Sequence, residues 1–77
     1  MSPKAPRLTA FKMRKAIEKA GFYLDRQTGS HMIFKHADGR WVTLPFHSRK
    51  ILHPKLVAAV LKDAGLSYDD LRNLLSE

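Results

Sequence analysis

The chain has 77 residues, of which 44% are hydrophobic and none is cysteine, so it has room for one small core and has neither a disulfide framework nor a thiolate zinc site. Its net charge of +7 favours a polyanionic partner, with nucleic acid first, and no apolar run approaches the roughly 20 residues that span a membrane. We expect one cytoplasmic domain over residues 1–77, with residues 1–8 as a flexible basic arm.

The first predicted element is a helix that follows Thr9 and ends at Gly21. Thr9 is a favourable N-cap residue, and Gly21 can adopt the positive φ that commonly follows a helix. The apolar positions are spaced to lie mostly on one side of the helix. They are Phe11, Met13, Ala16, Ile17 and Ala20.

Three short strands follow, over residues 22–27, 30–36 and 40–46, because these segments are rich in β-branched and aromatic residues. A turn at Thr28-Gly29 separates the first two strands. A turn around Asp38-Gly39 separates the second from the third. We therefore predict two consecutive hairpins and a three-stranded antiparallel sheet.

The length of the second turn decides which side chains share a face of the sheet. A two-residue loop at Asp38-Gly39 mixes polar and apolar residues on both faces. A three-residue loop over residues 37–39, with Gly39 left-handed, pairs Phe34 with Val42. It also pairs Met32 with Leu44, and Phe22 and Leu24 can join this apolar face. We predict the three-residue loop, which leaves the opposite face to His31, Ile33, Lys35, Trp41 and Thr43.

Two helices complete the predicted fold. Pro54 suits the first position of a helix that ends at Gly65, with an apolar stripe of Leu56, Val57, Val60, Leu61 and Ala64. Ser67 and Asp70 resemble a capping box before a short helix over residues 68–75. The α-β-β-β-α order with an extra helix predicts an α+β fold, in which the sheet packs on helices through one face. Double-stranded-RNA-binding domains have this arrangement.

A set of short motifs in the middle of the chain resembles the HicA, or YcfA-like, family of toxins. In chain order the motifs are Gly21-Phe22, Arg26-Gln27-Thr28-Gly29-Ser30-His31, Ile33-Phe34, Asp38-Gly39, Val42-Thr43-Leu44-Pro45, His47, and a helix ending in Leu61-Lys62-Asp63-Ala64-Gly65-Leu66-Ser67. The most specific pair is Gly-Ser-His at the start of a strand and Pro-x-His about fourteen residues later.

This resemblance implies a type II toxin that cleaves mRNA without a metal or other cofactor, through the histidine of the Gly-Ser-His element. That histidine is His31. It also implies a HicB-like antitoxin as protein partner and a protein that is a monomer or forms a hetero-oligomer with the antitoxin. The chain departs from the family where Met32 follows the histidine and where Pro54-Lys55 begins the second helix.

The chemistry of imidazole suits His31 to this role, because imidazole exchanges protons near neutral pH and RNA carries its own nucleophile in the 2′-hydroxyl. Ser30 either orients His31, binds a phosphate or caps the turn. His47 is either a second acid or base, or an ordinary loop histidine. The four histidines lack the spacing of a zinc site, so we expect no bound metal.

The remaining predicted site residues are cations and apolar side chains. We expect phosphate contacts from Arg26, Lys35, Arg49, Lys50 and Lys55. Trp41 either stacks on an unpaired base or, together with Ile33, contacts the antitoxin. The alternative functions are a non-catalytic RNA-binding module and an inactive toxin-like subunit of a protein complex.

Overall fold

A computed structural model describes residues 8–47 and 50–76 of the chain. Its elements are α1 (Ala10–Lys19), β1 (Tyr23–Thr28), β2 (His31–Lys35), β3 (Trp41–Pro45), α2 (Pro54–Ala64) and α3 (Tyr68–Ser76). The strands form one antiparallel sheet in the order β1-β2-β3. This confirms the predicted α+β fold, which is similar to that of double-stranded-RNA-binding domains. No helix in the described part of the chain is long and apolar enough to cross a membrane.

The second hairpin has the predicted three-residue loop. The backbone N–H of His36 donates to the carbonyl of Arg40 at 2.9 Å, which closes the loop over residues 37–39. Gly39 has a φ of 97°, a conformation that L side chains rarely adopt. Phe34 lies opposite Val42 in the resulting register, and Met32 opposite Leu44. The loop length therefore directs these apolar side chains to one face, as predicted.

The first hairpin turns one residue later than predicted. Thr28 is still part of β1 and pairs with His31, so the two turn residues are Gly29 and Ser30. Gly29 takes the positive φ of 58°, and a Cβ there would meet no other atom. Glycine is therefore favoured at this position by backbone conformation alone. The shift also moves Ser30 from the predicted strand into the turn.

The core lies between the sheet and the helices. Helix α2 packs mainly against β3, and α1 packs against α3. The buried residues are Leu8, Ala10, Met13, Ala16, Ile17, Phe22, Met32, Phe34, Val42, Leu44, Leu52, Val57, Val60, Leu61, Ala64 and Leu71. Leu24 faces the same side because it pairs with Phe34, but it sits on an edge strand and remains 37% exposed.

Two residues near the start of α1 differ from the prediction. Phe11 is half exposed, with the ammonium of Lys15 over its ring, because two residues along a helix from buried Met13 is nearly the opposite side. Leu8, which we predicted in the flexible arm, is buried, and its carbonyl accepts a hydrogen bond from the N–H of Leu52 at 2.7 Å. Only residues 1–7 of the predicted arm lie outside the described residues.

Side chains cap α1 and α3 in two different ways. The Thr9 hydroxyl accepts the N–H of Lys12 at 3.2 Å, as predicted. Ser67 and Asp70 form the predicted reciprocal capping box, with bonds of 3.0 and 2.9 Å. Hydrogen bonding from the Ser67 N–H, and secondly from its hydroxyl, lowers the pKa of the Asp70 carboxyl. Each cap satisfies an N–H that the helix itself cannot.

Arg40 joins the second hairpin to the end of α2. Its Nε donates to both carboxylate oxygens of Asp38, at 3.0 and 2.8 Å, and its Nη1 donates to the carbonyl of Ala64. Its guanidinium also lies 5.1 Å from the centre of the Phe22 ring. The same hydrogen bonds lower the pKa of the Asp38 carboxyl. Arg40 is therefore a structural cation, because internal contacts hold its guanidinium.

We expect Arg40→Ala to lower the free energy of unfolding by about 1–2 kcal/mol, because the part-buried hydrogen bond from its charged guanidinium to the Ala64 carbonyl is lost. Arg40→Lys, which keeps the charge without the planar fork, should recover only part of it. The pKa of Asp38 is lowered in the folded state, so the wild-type advantage should be present near neutral pH and shrink as the pH falls below about 4. Urea unfolding of wild type and both variants, near neutral pH and below about pH 4, measures these differences. Equal unfolding midpoints for the three proteins would show that Arg40 does not stabilise the fold.

Candidate functional site

The face of the sheet that points away from the helices carries most of the predicted site residues. The strand register arranges its side chains in rows across β1, β2 and β3. We call this surface the outer face, and its rows are Tyr23–Lys35–Trp41, Arg26–Ile33–Thr43 and Thr28–His31–Pro45. His31, Ile33, Lys35, Trp41 and Thr43 thus share one face, as the predicted loop length requires.

A β-bulge in β1 brings Arg26 onto the outer face. Regular alternation from Leu24, which faces the helices, would turn Arg26 to the same side. The register instead shifts between Leu24 and Arg26, so that Arg26 pairs with Ile33. Bulges commonly redirect a side chain in this way. The extra residue is Asp25, whose carboxylate also reaches the outer face.

Asp25 and Trp41 hold the cations of the outer face in place. The Lys35 ammonium lies 3.5 Å from the Asp25 carboxylate and 4.3 Å from the centre of the Trp41 ring. The Arg26 guanidinium lies 3.8 Å from the same carboxylate. Exposed ion pairs of this kind contribute little to stability. Their main effect here is to position Arg26 and Lys35 on the outer face, with the Lys35 ammonium over the exposed Trp41 ring.

His31 stands at the first position of β2, between Thr28 and Pro45 on the neighbouring strands. Its side chain is exposed to solvent. The backbone around it is fixed, because the Ser30 carbonyl accepts the N–H of Phe46 and ties the turn to the end of β3. An exposed imidazole on a rigid strand can meet a substrate that lies along the sheet.

His47 lies near the same end of the sheet, two residues after Pro45, which pairs with His31. It is exposed, and its carbonyl accepts the N–H of Lys50 at 2.8 Å. Ser30 is part of the adjoining hairpin turn and is half-buried. The two candidate assistants of His31 are therefore at its end of the sheet.

The other two histidines have structural contacts. His36 accepts the N–H of Asp38 through Nδ1 at 3.1 Å, and its ring meets the edge of Phe22 with 5.0 Å between centres. His53 caps α2, because its Nδ1 accepts the N–H of Lys55 at 3.0 Å. Within residues 8–47 and 50–76, no group of three histidine or acidic side chains is arranged to hold a metal ion.

Two further predicted cations, Lys50 and Lys55, are not part of the sheet. Lys55 is in the first turn of α2, which packs on the opposite side of the sheet. The Lys50 carbonyl accepts the N–H of Ala10 at the start of α1. Both lysines are exposed to solvent. Arg49 lies outside the described residues.

Sequence reasoning missed two members of this surface, Tyr23 and Asp25. Tyr23 is 54% exposed and occupies the same row as Trp41. The predicted inward positions of Phe22 and Leu24 already implied that Tyr23 faces outward. Asp25 gave no such signal, because its contact with Lys35 depends on the bulge.

Comparison with protein families identifies the chain. A family model described as the HicA toxin of bacterial toxin-antitoxin systems matches residues 12–66. The chain belongs to the HicA toxin family. The matched segment of this HicA toxin contains the whole sheet, including His31, together with α2. It is thus a toxin of a toxin–antitoxin system, and an antitoxin is its expected partner. A search of curated proteins gave no match.

Proposed function

We propose that this HicA toxin is a metal-independent RNA endonuclease, an mRNA interferase of a type II system, with His31 as its acid–base group. The observation that carries the proposal is the position of His31. Its exposed imidazole begins β2 on an open sheet face, in the row next to Arg26. A HicB-like antitoxin that covers this face would block access to His31.

The proposed reaction uses the 2′-hydroxyl of the substrate as nucleophile. His31 accepts the 2′-hydroxyl proton while the 2′-oxygen bonds to the adjacent phosphorus. The bond from phosphorus to the 5′-oxygen breaks, and that oxygen takes a proton from a second acid or from water. The products carry a 2′,3′-cyclic phosphate and a 5′-hydroxyl. His47 is the candidate second acid because it lies near the same end of the sheet.

The cations of the outer face have a clear part in this proposal. Negative charge builds up on the phosphoryl oxygens during attack, and a fixed cation next to them stabilises it. Arg26 is in the row adjoining that of His31, whereas Lys35 is one row further away. We assign Arg26 to the reacting phosphate and Lys35 to a neighbouring one. Lys50, Lys55 and Arg49 remain predicted phosphate contacts.

The test is incubation of a long mRNA with the purified protein in EDTA, followed by analysis of the new ends. We expect fragments with 5′-hydroxyl and cyclic-phosphate ends. A requirement for a divalent cation would contradict the proposed chemistry. Salt-sensitive RNA binding without cleavage at any pH would indicate the non-catalytic RNA-binding module instead.

We expect Asp25→Asn to strengthen RNA binding by roughly fivefold at low salt, because it removes the negative charge that competes with phosphate for Lys35 and Arg26. Fluorescence anisotropy with labelled RNA measures the dissociation constant. Asp63→Asn, an exposed site on α2, is the matched control for net charge. The gain should diminish as salt rises, and an equal gain in both variants would show that Asp25 has no local effect.

A further inference from the structure

The row of the outer face furthest from His31 combines two exposed aromatic rings with a cation. Tyr23 on β1 and Trp41 on β3 are 54% and 53% exposed, and Lys35 lies between them on β2. We propose that this row binds the unpaired bases of single-stranded RNA, with one base on each ring and Lys35 on the backbone. The proposal rests on the proposed function, because it specifies the RNA class that reaches His31.

The spacing of the rings suits separated bases rather than one base held between two rings. Tyr23 and Trp41 are on the two edge strands, so about 10 Å of sheet separates their backbones. Lys35 fills the space between them, with its ammonium 4.3 Å from the centre of the Trp41 ring. Because Trp41 remains half exposed with Lys35 in place, ring surface is open to a base. An extended strand with splayed bases fits this surface.

The same row fixes a distance to the proposed reacting group. Lys35 and His31 are at opposite ends of β2, and four residues of a strand span about 13 Å. A base on the row of Tyr23 and Trp41 is therefore joined to the phosphate at His31 by a short segment of unpaired RNA. In a duplex the base faces are already stacked on one another and cannot reach these rings. The surface chemistry thus favours single strands, although the fold is similar to that of duplex-binding domains.

Charge favours RNA over a protein as the occupant of this row. The Lys35 ammonium lies over the Trp41 ring and Arg26 is in the next row, on a chain with a net charge of +7. A partner that covered the row with an apolar surface would bury two cations that share the single carboxylate of Asp25, and burial of the excess positive charge is costly. A phosphate backbone neutralises them while its bases cover the rings. The row therefore offers a single strand both a cation for its phosphates and aromatic rings for its bases.

Trp41 is the only tryptophan of the chain, so its fluorescence reports directly on stacking. The first experiment titrates the His31→Ala protein, which should bind without cleaving, with oligo-adenosine and with an RNA duplex of equal length. We expect strong quenching by the single strand and little by the duplex. Binding of oligo-adenosine without quenching, or equal quenching by the duplex, would overturn the proposal.

The second experiment uses anisotropy to measure the affinity for oligo-adenosine of variants in which each aromatic residue is replaced by threonine, which also favours strands. Trp41→Thr and Tyr23→Thr should each weaken binding roughly 5- to 100-fold, and the loss should persist at high salt because stacking does not depend on counterion release. Trp41→Phe and Tyr23→Phe should retain most of the affinity. Tyr68→Ala, which removes an exposed ring from α3, is the matched control and should change nothing.

Unchanged affinity in both threonine variants would overturn the stacking site and leave the row to the antitoxin. The mRNA cleavage assay in EDTA keeps this outcome distinct from failure of the proposed function. If wild type cleaves RNA and the threonine variants bind normally, only the proposed stacking site is contradicted. A third outcome is that RNA quenches Trp41 and the threonine variants bind more weakly, but wild type cleaves no RNA. That result would contradict the proposed nuclease activity and support the single-strand site.

Discussion

Replacing His31 by alanine should slow RNA cleavage by about 10²- to 10⁴-fold, the usual contribution of a positioned acid–base group. The imidazole is exposed, so its removal opens no cavity in the core and should leave the thermal midpoint nearly unchanged. RNA affinity should change little, because Arg26 and Lys35 stay in place. The expected result is a loss in rate without a loss in folding or binding.

Single-turnover cleavage at saturating protein measures this rate apart from binding. His53→Asn is a matched control, since it removes another exposed histidine and supplies a side chain that also caps a helix. The control should cleave like wild type, and in cells only wild type and the control should arrest growth with loss of mRNA. Equal rates for His31→Ala and wild type would exclude His31 from the mechanism.

The position of His31 on an open face followed from the sequence, because hydrophobic alternation and turn length decide it together. Only the three-residue loop places Phe34 and Val42 on one face, and the structure has that loop. Helix boundaries were similarly accessible, since Thr9, Gly65 and Ser67 act through local backbone chemistry. Patterns that depend on nearby residues are readable from one sequence.

Features that depend on distant contacts were not readable. The bulge at Asp25 turns Arg26 outward, and nothing in the local sequence specifies it. Two basic residues that are close in sequence also separate in space, because Lys35 joins the outer face while Arg40 binds the end of α2. A positive charge in a sequence indicates a partner only after its internal contacts are known. The role of His31 likewise rests on the family and the proposed chemistry rather than on geometry alone.

Substitutions on the two faces of β2 should differ strongly in their effect on the free energy of unfolding. Phe34 is fully buried, and Phe34→Ala should lower the free energy of unfolding by about 3–5 kcal/mol through lost burial and a cavity. A domain of this size has a total stability of only about 4–12 kcal/mol. The variant should therefore lose about a quarter or more of its stability and unfold at a lower temperature than wild type, and toxicity should fall with the folded fraction.

Ile33→Thr is the matched control, because Ile33 lies next to Phe34 but points to the outer face and threonine keeps the β-branch. Its unfolding free energy should fall by less than about 1 kcal/mol in urea titrations, since surface changes are usually small. A slip of one residue in the register would exchange these two results, because it moves every side chain of β2 to the other face. That slip would bury His31 and Lys35 against the helices, so the stability of these two variants also tests whether His31 can meet RNA.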